Sequence, residues 1–93
     1  MIAYNYVASL INDPNNKRVF DRVAENRRVH LGELLKQVKT DRNETKRALH
    51  QLEKEKLVAK KGAPIEDYTI YYITSKGLKV KREIERIGNP AFI

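Results

Sequence analysis

The chain has 93 residues, no cysteine, and a formal net charge of +7 from 19 Lys and Arg against 12 Asp and Glu, a balance that favours a polyanion such as nucleic acid as partner. This length suits one domain with a thin core, and the missing cysteines exclude disulfide frameworks and thiolate metal sites. No apolar run reaches the roughly 20 residues of a membrane helix, and the first residues have no basic leader, so we expect a cytoplasmic protein with no membrane partner.

Apolar residues recur at helical spacing in the first half of the chain. They predict a helix over residues 2–11, a second over 14–26 that an Asp-Pro pair introduces, and a short one over 32–38. The brief run over residues 29–31 is typical of a short strand. The expected buried side chains of the second and third helices are Val19, Phe20, Val23, Ala24, Leu31, Leu34, Leu35 and Val38.

In the second half of the chain, the spacing of apolar residues changes from a helical period to a strand period and then back to a helical one. Asp41 is predicted to cap a helix over residues 42–55, with Glu44 in the position of a capping-box carboxylate. Residues rich in β-branched and aromatic side chains then predict a hairpin over residues 58–73 with a protruding tip. A last helix is predicted over residues 75–87. The order of elements indicates a mainly α chain with a small β-hairpin, in the α+β class, with no internal repeat or linker.

The helix over residues 42–55 is predicted to separate two faces, because a rotation of 100° per residue sorts its side chains into two arcs. One arc is mostly apolar and holds Thr45, Ala48, Leu49 and Leu52. The opposite arc is basic and polar, with no carboxylate at its centre. A helix-turn-helix presents the N-terminal half of its second helix to the DNA major groove. We therefore predict base contacts from Asn43, Lys46, Arg47 and His50, and phosphate contacts from Thr40 and Arg42.

The predicted hairpin adds a second basic element to this surface. Lys60 and Lys61 lead into its tip and are expected to contact the DNA backbone or the adjacent minor groove. Glu66 and Asp67 in the tip would repel phosphate, so the contacts are expected on the lysine side. Strand propensity explains the three tyrosines between residues 68 and 72 more simply than base stacking does.

Four segments of the chain carry a family resemblance through their order and spacing: DPNNKRVFDRV, HLGELLKQV, ETKRALHQLEKEKLVAK and YYITSKGLKV. They resemble winged helix-turn-helix transcriptional regulators of the MarR, ArsR and PadR type, over roughly residues 12–87. The resemblance implies a three-helix core with a wing and flanking N- and C-terminal helices, in a single DNA-binding domain over residues 1–93. These families commonly have Gly before the Leu-Val of the first wing strand. Here Lys56 must adopt the conformation that Gly takes easily.

The predicted function is sequence-specific binding of double-stranded DNA by a repressor-like transcriptional regulator. Helix 42–55 would enter the major groove, and the 58–73 hairpin would be the wing. One module of this kind buries only roughly 600–1,000 Å² on DNA, so a homodimer that doubles the contacts is expected. The candidate dimerisation elements are the flanking segments 1–11 and 78–93, which carry more apolar residues than one small core needs. The pattern does not indicate whether a small-molecule effector exists.

Two other functions stay open: a winged-helix protein-interaction adaptor, and an RNA-binding module without sequence-specific DNA readout. An adaptor would favour an apolar outward face, and a protruding helix suits the DNA major groove better than the narrow one of A-form RNA. No Gly-rich phosphate loop, metal-ligand spacing or nucleophile motif occurs, so we expect no enzyme activity, cofactor or metal. His30 is interpreted as a structural residue, not a catalytic base.

Overall fold

The computed structural model describes residues 12–88, with side chains through residue 85. The described residues form four α-helices: α1 (Pro14–Asn26), α2 (Leu31–Val38), α3 (Arg42–Lys54) and α4 (Ser75–Gly88). They also form three strands, β1 (Arg28–His30), β2 (Val58–Lys61) and β3 (Ile70–Ile73), and a 3-10 turn at Glu66–Tyr68. The predicted mainly α chain with a small sheet is confirmed. The predicted helix over residues 2–11 and the tail after residue 88 lie outside the described residues.

Side chains of the preceding residues cap the first three helices. The Asp13 carboxylate accepts the backbone N–H groups of Asn15 at 2.9 Å and Asn16 at 3.3 Å, as its place before a first-turn proline predicted. Asp41 caps α3 in the same way. Nδ1 of His30 accepts the N–H of Glu33 at 3.2 Å and so caps α2. The structural interpretation of His30 is therefore confirmed.

One core lies between the first three helices and the sheet. The apolar stripe predicted for α1 is buried, and α2 buries three of its predicted positions while Leu35 is half-buried. The predicted arc of α3 is fully buried, with Thr45, Ala48, Leu49 and Leu52 each 0% exposed. The side-chain amides of Asn15 and Asn16 donate to the Glu44 carbonyl and to Gln51 Oε1, at 2.9 and 2.8 Å, and tie α1 to α3. These contacts fix which face of α3 points outward.

The sheet has the order β1-β3-β2, with both pairs antiparallel. The short strand predicted after α1 is confirmed as β1, which pairs with the second strand of the hairpin. The tip of the hairpin loop is exposed at Gly62, and the part of the loop that follows it, residues 66–69, folds back against the start of α2. There the Leu31 N–H donates to the Thr69 carbonyl at 2.9 Å, and a Cβ on Gly32 would lie 3.5 Å from Asp67 Cβ. The pairing of distant residues decides this path, which local sequence patterns do not encode.

The end of α3 is a Schellman motif, in which two backbone N–H groups bond back into the last turn. The N–H of Lys56 donates to the Glu53 carbonyl at 2.8 Å, and that of Leu57 to the Leu52 carbonyl at 3.0 Å. Lys56 has φ 62°, so it takes the conformation expected of it from the family pattern. A side chain at such a φ costs roughly 1–2 kcal/mol, which attraction of a cation to the helix C-terminus partly offsets.

Thr74 and Gly77 attach the start of α4 to this helix end. The Thr74 hydroxyl donates to the Lys56 carbonyl at 2.6 Å and accepts the Gly77 N–H at 2.9 Å, while the Thr74 N–H donates to the Leu57 carbonyl at 3.1 Å. A Cβ on Gly77 would lie only 2.2 Å from that carbonyl oxygen and 2.6 Å from Ile73 Cδ1. Only glycine fits at this junction without moving backbone.

Replacing Gly77 by Ala should destabilise the protein by about 1–3 kcal/mol or more, because backbone must shift to admit the methyl group. Chemical denaturation followed by circular dichroism measures the change. Gly62→Ala is the matched control: nothing lies within 4 Å of the added Cβ, and no described glycine has a positive φ. The control should stay within about 0.5 kcal/mol of the wild type. Equal stability of the two variants would contradict the assignment of Gly77.

Candidate nucleic-acid interface

The outward face of α3 presents polar and basic side chains one and two turns apart. Asn43, Arg47 and His50 are all exposed, at positions opposite the buried arc. The side chain of Arg47 is 70% exposed and pairs with Glu44 at 3.4 Å, one turn earlier on the helix. Such an exposed pair within a helix is weak, so Arg47 can exchange it for another anion. The three side chains offer the donors and acceptors that read base edges.

Arg42 and Lys46 face a different neighbour, the carboxylates of Glu66 and Asp67 in the 3-10 turn. We call Glu66 and Asp67 the acidic turn. Nη1 of Arg42 lies 3.0 Å from Glu66 Oε1 and 2.8 Å from Asp67 Oδ1, and Nζ of Lys46 lies 2.5 Å from Glu66 Oε2. Both oxygens of Glu66 are therefore engaged by cations of α3. The acidic turn lies on the N-terminal half of this helix.

The ion pairs shift the pKa values of the groups that form them. The hydrogen bond from Lys46 lowers the pKa of Glu66, and the hydrogen bond from Arg42 lowers that of Asp67. The same carboxylates raise the pKa of the Arg42 guanidinium, with the Asp67 hydrogen bond as the largest cause. Because both carboxyl pKa values are lowered, the stabilisation is present at neutral pH and is lost as the pH falls through the lowered values.

The remaining candidate residues lie apart from this cluster. The half-buried Thr40 hydroxyl donates to the Val38 carbonyl at 3.0 Å and accepts Nη1 of Arg18 at 3.3 Å. Lys60 and Lys61 are exposed on β2, at an edge of the sheet. The structure thus groups Asn43, Arg47 and His50 on one face, and ties Thr40 into the helix junction.

Sequence reasoning missed the acidic turn as a partner of α3. It treated Glu66 and Asp67 only as groups that repel phosphate, although two adjacent carboxylates close behind two lysines are a signal in their own right. What it could not supply was the folded-back loop that brings them to Arg42 and Lys46, 20 to 25 residues away in the chain. Within residues 12–88, no three His, Cys, Asp or Glu side chains gather closely enough to hold a metal ion.

The solved structures that are similar to this chain include the following two, although no protein-family model matches it and no curated protein matches it significantly. One is the crystal structure of a MarR family transcriptional regulator from Silicibacter pomeroyi, with a TM-score of 0.74 and 22% identity. The likeness covers 94% of this chain and 59% of that one, so this chain spans about three fifths of its length. The other is the crystal structure of a transcriptional regulator, with a TM-score of 0.59, 18% identity, and coverage of 95% and 76%.

These likenesses show that the chain has a winged helix fold like that of a MarR family regulator, as the resemblance of its segments implied. Within that fold, α2 and α3 are the helix-turn-helix, and β2 and β3 are the two strands of the wing. In the part of the chain that the structure describes, no helix is long and apolar enough to cross a membrane.

Replacing Lys46 by Met should raise the pKa of the Glu66 carboxyl group, because its hydrogen bond to Lys46 is the largest cause of the lowered value. Carboxyl carbon shifts followed by NMR during an acid titration measure this pKa directly. Lys54→Met is the matched control, since Lys54 lies at the other end of the same helix. An equal rise in both variants would point to a general charge effect and contradict the specific pair.

Proposed function

We propose that the protein is a transcriptional regulator that binds double-stranded DNA in a sequence-specific manner, with α3 in the major groove and the β2–β3 hairpin as wing. The observation that carries the proposal is the division of α3 into two faces. The arc that includes Ala48 and Leu49 is fully buried, whereas Asn43, Arg47 and His50 are exposed. A helix that is anchored on one side and polar on the other suits insertion into a groove. The net charge of +7 and the winged helix fold support the same function.

The proposed contacts follow from the chemistry of each side chain. Arg47 can pair with guanine through two hydrogen bonds, Asn43 can pair with adenine in the same way, and His50 adds a further polar contact to base edges. Lys60 and Lys61 of the wing would contact phosphate or the adjacent minor groove. We retain Lys46 as a base contact and Arg42 and Thr40 as phosphate contacts. Each of the three must first leave a partner within the protein. Arg42 pairs with Glu66 and Asp67, Lys46 pairs with Glu66, and the Thr40 hydroxyl accepts a hydrogen bond from Arg18.

The proposal extends to the assembly and action of the chain. Residues 1–93 would form one DNA-binding domain, and segments 1–11 and 78–93 would pair two copies. A two-fold dimer places two α3 helices about one DNA turn apart and so selects a palindromic operator. Repression by occupancy of such an operator is the proposed mode of action.

Fluorescence anisotropy with genomic duplex fragments at two salt concentrations tests the proposed function. The proposal expects tight binding to some fragments, with an affinity that falls steeply as salt rises, since phosphate contacts release counterions. Duplex RNA of matching sequence serves as a competitor. Equal competition by RNA would favour the RNA-binding alternative, and no binding to any duplex at the lower salt would end the DNA proposal.

Replacing Arg47 by Ala should cost about 1–3 kcal/mol in binding to the preferred duplex and relax the preference at one base position. Arg22→Ala is the matched control, because Arg22 also makes an exposed pair with a glutamate three residues away, but on α1. The control should leave affinity and preference nearly unchanged. A loss at Arg47 that is uniform across sequences would make this residue a phosphate contact instead.

If the protein is a homodimer, sedimentation equilibrium at micromolar concentrations should give twice the chain mass of 10.8 kDa. The apolar residues of segments 1–11 and 78–93 would drive this association, and two copies would double the contact area that one module offers to DNA. The operator should then show two half-sites about 10 base pairs apart, or a multiple of that spacing. A monomer at high micromolar concentration, with or without duplex, would contradict the dimer and leave DNA binding by a single domain to be judged separately.

A further inference from the structure

The acidic turn pairs with two cations on the N-terminal half of α3 that the proposed function assigns to DNA. Glu66 and Asp67 offer three carboxylate oxygens to the two cations, at 2.5 to 3.0 Å. Arg and Lys bind carboxylate and phosphate oxygens with the same donors and at similar distances. The turn therefore presents to Arg42 and Lys46 the anionic oxygens that a DNA backbone would present.

The contact can be displaced, because it is exposed. The side chains of Arg42 and Lys46 are each 44% exposed, and those of Glu66 and Asp67 are 50% and 45% exposed. Ion pairs with this exposure are weak and are screened by salt. Backbone contacts hold the turn whatever the ion pairs do, because Ile70 pairs in the sheet and the Thr69 carbonyl accepts the Leu31 N–H. Release of the two cations therefore needs only rotation of the two carboxylate side chains, without unfolding of the wing. A loop that is anchored in this way competes with an external anion at high local concentration.

The turn and a duplex cannot satisfy the same two cations together. With the turn in place, its two carboxylates would lie beside the DNA backbone and repel it. With the carboxylates rotated away, Arg42 and Lys46 become free to bind phosphate or base edges. The domain would then have two arrangements of these side chains, and a duplex would favour the open one by its own contacts.

We propose that Glu66 and Asp67 are an internal substitute for DNA phosphate, which lowers the affinity of the domain for duplex until the duplex displaces the two carboxylates from Arg42 and Lys46. This inference rests on the proposed function. It has two measurable consequences. The apparent association constant for duplex equals that of the open arrangement multiplied by the fraction of molecules in that arrangement. The salt dependence is shallower than the number of basic residues suggests, because rising salt weakens the internal contact together with the DNA contact.

The test is the double variant Glu66→Gln with Asp67→Asn, which removes both charges and keeps the shape of the side chains. Anisotropy with the preferred duplex should show binding roughly tenfold tighter at low salt. The logarithmic salt slope should steepen by about 1–2, since two more cations release counterions. Arg42→Ala should then weaken binding more in this variant than in the wild type, which a double-mutant cycle measures.

Asp21→Asn with Glu25→Gln is the matched control, because it removes two carboxylates of α1 that pair with Lys17, Lys81 and Arg22, away from α3. The control should tighten binding much less. Equal tightening would make the effect one of net charge and overturn the inference. Weaker binding of the Glu66 and Asp67 variant would mean that the turn positions the wing, and would overturn it too. Should the double variant fail to fold by circular dichroism, Glu66→Gln alone frees Lys46 and one contact of Arg42, and the same comparisons apply.

The two proposals fail in different ways. If the wild type binds no duplex at the lower salt, the proposed function is wrong and the inference falls with it. If the wild type binds duplex but the Glu66 and Asp67 variant binds no tighter, the inference alone is wrong.

Discussion

The carbonyl group of Leu57 is the joint on which the arrangement of wing and helix depends. This carbonyl accepts the N–H of Thr74, and it lies so close to position 77 that only glycine fits there. The Schellman motif that ends α3 includes the N–H of the same residue. Because β2 begins at the next residue, this joint fixes the base of the hairpin to the end of α3. The far end of the hairpin is held to the start of α3 by exposed ion pairs. One helix thus holds the wing at two points, a close-packed backbone joint and a weak ionic one.

Local patterns predicted most of the fold, because the features concerned are local in the chain. The start of α1 follows from a capping Asp and a first-turn Pro, and the buried arc of α3 follows from the helical period alone. The conformation of Lys56 followed from the position that Gly holds in similar regulators. The sequence did not predict that the later part of the hairpin loop folds back, because that path depends on contacts of the turn with α2, which lies about 35 residues earlier.

The candidate site shows the same division. The sequence placed Asn43, Arg47 and His50 on one outward face, because residue spacing on a helix determines a face. It could not place Arg42 and Lys46 against carboxylates, or Thr40 against Arg18, because each of those contacts joins different elements. A basic residue on a helix surface is a cation wherever it lies. Whether that cation is available to a partner depends on the tertiary structure.

The first three helices of the described chain end at basic residues with positive φ: Arg27, Lys39 and Lys56. Glycine would fit these positions with less strain, but it would leave the negative end of each helix dipole uncovered. A cation at each position partly offsets that pole, and the carboxylates of Asp13 and Asp41 do the same for the positive poles at the N-termini of α1 and α3. Backbone strain at three sites therefore shapes the field close to these helix ends: a polyanion that approaches them meets a basic residue beside each negative pole.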